Sequence, residues 1–193
     1  MDFDGVIAGS FEIAFSIHRI ARPAITIESY RKLFDGNIFD AKFEETAIKD
    51  VDFFAEYSRR FKTLGIDEKV KLNIKKLSQD FSLFIISSTT NGIINEYLKR
   101  QGILDCFTEV LGCDAEKSKV KKFNQVFKKY KISPAQAIFI TDTTGDIKEA
   151  KAAEVGFIVG ILGGYQDRVA LENAAADAIA EDFNDFFRIV QKK

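Results

Sequence analysis

The chain opens on two aspartates one residue apart, Asp2 and Asp4, in Met-Asp-Phe-Asp-Gly-Val. One carboxylate of such a pair can act as a nucleophile and the other can carry a proton, which divides a difficult displacement into two easier steps. A second acidic pair, Asp142 and Asp146, stands in Thr-Asp-Thr-Thr-Gly-Asp-Ile at 141–147. Between these pairs lie a hydroxyl cluster, Ser87, Ser88 and Thr89, and the run Glu116-Lys117-Ser118-Lys119. Carboxylates brought together repel one another and are costly to bury unless a cation compensates. Two or three carboxylate oxygens, with other positions left to water and phosphate, suit magnesium.

Each of these groups must be delivered by a secondary-structure element. Residues 82–88 form a short apolar run, too short for a helix and suited to a buried parallel strand. Helical spacing follows over 92–101, with Gly102 as a stop. Further strands are expected at 108–111, 137–141, 156–162 and 178–180, and further helices at 118–131, 146–154 and 182–191. Alternation of this kind predicts a doubly wound α/β fold with a parallel sheet and helices on both faces. In such sheets ligands bind beyond the carboxyl ends of the strands. The polar residues singled out above follow apolar strands, so they converge on one edge.

Residues 11–70 read differently. Helices without intervening strands are expected at 11–20, 27–33 and 39–64, the last carrying the stripe Val51, Phe54, Tyr57, Phe61 and Leu64. This segment reads as a small helical cap over 13–70, inserted after the first motif into a core made of 1–12 and 71–193. Its phenylalanines and His18 read as packing residues.

The four motifs in this order resemble the haloacid dehalogenase superfamily: DFDGV at 2–6, Ser87 in FIISSTTNG, Lys117 in EKSKVKKF, and TDTTGDI at 141–147. The spacing from Lys117 to Asp142, with SPAQAIFIT between, resembles the branch that holds β-phosphoglucomutase and phosphoglycolate phosphatase. The resemblance covers nearly the whole chain and implies a Rossmann-like core. It also implies a mechanism. Asp2 attacks phosphorus and forms an aspartyl-phosphate, and Asp4 protonates the leaving oxygen. Mg2+ is held by Asp2, the Asp4 carbonyl and Asp142, with Asp146 in support. Ser87, Ser88 and Lys117 hold the phosphoryl oxygens, with Lys119 the alternative lysine. Gly163-Gly164-Tyr165 is similar to a loop of phosphoglycolate phosphatases. Ala8-Gly9-Ser10 departs from the pattern, since many relatives carry an acid there. Relatives also place four or five apolar residues before the nucleophile, where this chain has Met1. The expectation is that the working protein carries several more apolar residues upstream.

The expected function is hydrolysis of a small phosphate monoester. A sugar phosphomutase of the same superfamily, or a shortened non-catalytic binding protein, are the alternatives. With 28 basic and 29 acidic residues the net charge is −1, so no global field draws the chain to nucleic acid or to an anionic membrane. Lysines 119, 121, 122, 128, 129 and 131 lack interleaved aromatics and read as a solvated helix. Two cysteines, Cys106 and Cys113, are too few for a disulfide framework or a zinc site, and a cytoplasmic location is expected.

Overall fold

The computed structural model describes all 193 residues. Five short strands, β1 (Leu83–Ile86), β2 (Phe107–Leu111), β3 (Ile138–Thr141), β4 (Phe157–Ile161) and β5 (Ala178–Ala180), all pair in parallel. They form two ladders, β1 with β2 and β3–β4–β5. Residues 1–2 join the ladders. The Met1 amine donates to Phe84 O at 2.8 Å, Ile86 N–H to Met1 O at 3.0 Å, and Asp2 N–H to Ile140 O at 2.9 Å. Met1-Asp2 thus lies between β1 and β3 and delivers the first aspartate to the carboxyl edge.

Behind Met1 the gap between β1 and β3 continues as an apolar slot of about 320 Å³, lined by residues including Leu77, Phe84, Phe139, Phe186 and Val190. Ser87 N–H donates to Leu111 O and Phe157 N–H to Ala137 O. Ladder alternation therefore turns the backbone of Phe84 and Ile86 on one side, and of Ile138 and Ile140 on the other, toward the gap.

Helices α1 (Phe11–Ala21), α2 (Ile27–Lys32) and α3 (Phe53–Phe61) follow the first motif, and α4 (Glu68–Asp80) leads into β1. The helix expected over 39–64 is present only as α3. Asp52 caps it by accepting from Ala55 N–H at 3.0 Å, and most of the stripe lies in or beside that single stretch. Residues 38–52 instead run irregularly over α1, where Ile48 N–H donates to Ala21 O and the Arg22 guanidinium covers the Phe43 ring at 3.9 Å. Helix α4 crosses the expected boundary at 70/71. It packs on the carboxyl-terminal helix α9 (Phe183–Val190), where Asn73 Nδ2 donates to Asn184 Oδ1 at 2.8 Å. Buried residues of α1, α3 and the sheet belong to one continuous apolar cluster, so the insertion has no separate core. Helices α5 (Asn91–Gln101), α6 (Lys119–Tyr130), α7 (Thr144–Ala152) and α8 (Arg168–Asn173) complete the fold. Gly102 ends α5 in the left-handed region, as its position after the periodic run predicts. No helix is long and apolar enough to cross a membrane.

Candidate active site

The polar groups meet at the carboxyl edge of the sheet, on the floor of a cavity of about 260 Å³ whose lining includes Asp2, Asp4, Asp142, Asp146 and Lys119. Asp2 is buried between β1 and β3. Its Oδ1 accepts from its neighbour's amide, Phe3 N–H, at 2.8 Å and lies 2.9 Å from the Lys119 ammonium. Burial pushes the Asp2 carboxyl well up from the usual carboxylate range, against the pull of Lys119. The Asp4 carboxylate is held by three hydroxyls. Ser10 Oγ donates to Oδ1 and Thr89 Oγ1 to Oδ2, each at 2.7 Å, and Tyr57 of α3 also donates to Oδ1.

Asp142 follows β3 and is fully buried. Tyr165 N–H donates to its Oδ2 at 2.6 Å, while its Oδ1 has no partner. Burial raises its pKa to about 7. Gly5 and Gly164 hold the backbone against this carboxylate, and a Cβ on either would land on it. Gly5 also has φ +72°, a left-handed backbone that glycine adopts without strain. Asp146, in the first turn of α7, accepts from Lys119 Nζ at 2.5 Å and from Thr141 Oγ1 at 2.7 Å. Burial works to raise its pKa, but Lys119 and these hydrogen bonds hold it low.

The lysine in the site is Lys119, not Lys117. Ser118 caps α6, so Lys119 is its first helical residue and lies on the same face as buried Lys122, Phe123, Val126 and Phe127. Its side chain is 2% exposed, and the pull of Asp146 and Asp2 outweighs burial to keep it charged. Lys117 precedes the cap, is exposed, and sits 5.3 Å from the centre of the Phe39 ring. Ser88 and Thr89 line the cavity. Ser87 is buried beneath them, where its Oγ accepts from Thr89 N–H at 3.0 Å and its carbonyl accepts from Lys122 Nζ at 2.5 Å. Burial pushes the Lys122 ammonium down to about 8.

The residues fit a divalent cation in a limited way. No three acidic side chains form a ready-made cluster, and Lys119 stands between Asp2 and Asp146. The buried, unpartnered Asp142 Oδ1 is free to serve as an oxygen ligand, and the Asp2 carboxylate and the Asp4 main-chain carbonyl would complete the set.

Tyr57, Ser10 and Lys122 carry contacts that the motifs do not point to. Tyr57 was legible only as one member of the apolar stripe, and Lys122 only by its i, i+3 relation to Lys119.

A family model described as haloacid dehalogenase-like hydrolase matches residues 1–159. The chain belongs to the haloacid dehalogenase-like hydrolase family. A phosphoglycolate phosphatase of Synechococcus elongatus is 30% identical over 114 residues, covering 58% of this chain and 53% of the relative. One of Vibrio vulnificus is 26% identical over 125 residues, covering 63% and 54%. The aligned stretch thus spans about half the length of these curated relatives. Among solved structures, a haloacid dehalogenase-like family protein from Streptococcus pneumoniae superposes with a TM-score of 0.74 at 17% identity, covering 100% of this chain and 96% of the other. A hydrolase from Pseudomonas syringae gives 0.75 at 16% identity, covering 99% and 96%. Both likenesses show the fold.

Proposed function

We propose that the protein is a magnesium-dependent phosphatase that hydrolyses a small phosphate monoester through an aspartyl-phosphate on Asp2. The observation that carries this reading is Asp2 on the cavity floor, held by Lys119, with the unpartnered Asp142 Oδ1 in the same cavity. Asp2 attacks phosphorus as the bond to the ester oxygen breaks, and that oxygen takes up the proton that Asp4 relays. Water then attacks the phosphorus of the acyl phosphate and passes a proton to Asp4, which frees inorganic phosphate and restores Asp2. Asp2, the Asp4 carbonyl and Asp142 would hold a magnesium ion, which would supply charge neutralisation where the carboxylate and the phosphate meet. Lys119 stabilises the phosphoryl oxygens, and Asp146 orients Lys119 rather than binding the metal directly. Ser88, in the cavity lining, offers its hydroxyl proton to the same oxygens, whereas Ser87 lies buried beneath it and supports the loop. The Ser87 hydroxyl accepts from Thr89 but donates to no protein group. Tyr57 ties the proton carrier to the inserted helices.

Phosphate release from a panel of monoesters, with and without Mg2+, tests this reading. Asp2→Asn should lower turnover by many orders of magnitude, because an amide is neither a nucleophile nor an anionic ligand. A variant keeping more than a small fraction of the activity would remove Asp2 from its role.

A further inference from the structure

Resting on the phosphatase reading, we infer that the substrate's organic part is apolar, an aryl-alkyl or alkyl group, and not an anionic or polyhydroxylated one. The cavity above the carboxylates is walled by Ile38, Phe39, Phe43, Phe53, Phe54 and Tyr30, supplied by α2, α3 and the irregular stretch between them. Its only lining cation is Lys119, and both Asp2 and Asp146 engage it. His18 is the one other basic group in the lining. It is packed against the rings of Phe53 at 4.8 Å, Phe43 at 5.0 Å and Tyr30 at 5.2 Å, and burial, with Arg22 nearby, pushes it down to about 4. It is therefore neutral at physiological pH. Arg22 lies on the face of Phe43 and is not part of the lining.

A carboxylate at the far end of the substrate would thus lose its water and gain no positive partner. That is the costly case for a charge. A polyol would leave several hydroxyls facing aromatic rings. An apolar group instead gains from burial against rings already held in place by mutual stacking, such as Phe53 on Tyr57 at 5.2 Å. Phosphoglycolate, which carries a carboxylate beyond its phosphate, is on this reading a poor match for these rings.

The test compares esters whose leaving groups are all alkoxides. With Mg2+, kcat/KM for benzyl and hexyl phosphate should exceed that for phosphoglycolate and glycerol 1-phosphate by roughly 100-fold, the scale on which apolar pockets discriminate. Binding of two non-hydrolysable probes gives the cavity's preference without turnover. Calorimetry should show benzylphosphonate at least tenfold tighter than 3-phosphonopropionate. Phe54→Arg, checked for an unchanged unfolding midpoint, should narrow or reverse that order. Equal or tighter binding of 3-phosphonopropionate by the unaltered protein overturns the inference, whatever the turnover. Tight benzylphosphonate binding with no ester hydrolysed supports the cavity's preference and refutes the phosphatase reading instead.

Discussion

Extending the chain by Val-Ile-Val-Ile ahead of Met1 should stabilise it strongly. The slot behind Met1 is apolar, and the backbones on either side of it turn toward the gap. Four aliphatic residues laid there bury side chains worth about 1.5–3 kcal/mol each, or roughly 6–12 in all. Ordering them costs about 1.5 kcal/mol per residue, roughly 6. New ladder hydrogen bonds return about 1 kcal/mol apiece. Taking the low end, the net gain is about 4 kcal/mol. In a chain of this size that raises the melting temperature by about 10 °C. A pH signature accompanies it. Burial holds the Met1 ammonium down, from 8.0 to about 5. A folded-state pKa below the unfolded one means stability that is present above pH 8 and lost as pH falls through 5. The extension turns that amine into an amide and removes the loss. The stability gap between the two chains should therefore widen from pH 8 to pH 5, by up to about 4 kcal/mol. Urea unfolding at pH 8 and pH 5, with Ser-Gly-Ser-Gly as the control extension, measures both effects. An apolar extension that melts within 2–3 °C of the control would show that the slot is not a strand site, since even about 1 kcal/mol shifts the midpoint by that much.

Lys119→Met should lower kcat by at least about 10³-fold while Lys117→Ala stays within a few-fold, because only Lys119 reaches the carboxylates; steady-state kinetics on one ester decide it. Gly164→Ala should impair both activity and the unfolding midpoint by driving a methyl into Asp142, whereas Gly9→Ala, with open space around it, should leave the midpoint nearly unchanged. A chelator should abolish phosphate release and Mg2+ should restore it, while Ca2+ should inhibit, since its looser and higher coordination spoils in-line geometry. Full turnover in excess chelator would refute the metal role given to Asp142.

The sheet was legible because each buried parallel strand is a short apolar run with polar residues at its carboxyl end, and Ile138–Thr141 followed by Asp142 is an example. The insertion was harder. Phe39, Phe43, Phe53 and Phe54 read as helix packing, but a period of three or four does not reveal where a cap such as Asp52 begins the helix. Side chains before that cap turn into the cavity instead. The choice between Lys117 and its alternative Lys119 turned on a related point. Motif spacing favoured Lys117, whereas the 119, 122, 123, 126, 127 stripe marks the inward face of α6. Tyr57 shows the limit of the method, since a tyrosine in an apolar stripe gives no sign of where its hydroxyl ends.

The short segment 34–37 fastens the insertion to the core. Gly145 N–H donates to Phe34 O at 2.8 Å, Gln166 Nε2 to Asp35 Oδ1 at 2.7 Å, Lys148 Nζ to Asp35 O at 2.7 Å, and Asn37 Nδ2 to Glu149 Oε1 at 3.1 Å. All four core partners lie on α7 or in the loop after β4. For protein engineering this divides the insertion into two kinds of position. Residues 38–54 can be recombined to reshape the cavity, whereas residues 34–37 are a hydrogen-bonded joint that any exchanged insertion has to reproduce. A library that randomised both would confuse altered selectivity with a detached lid, and one that fixed the joint would vary selectivity alone.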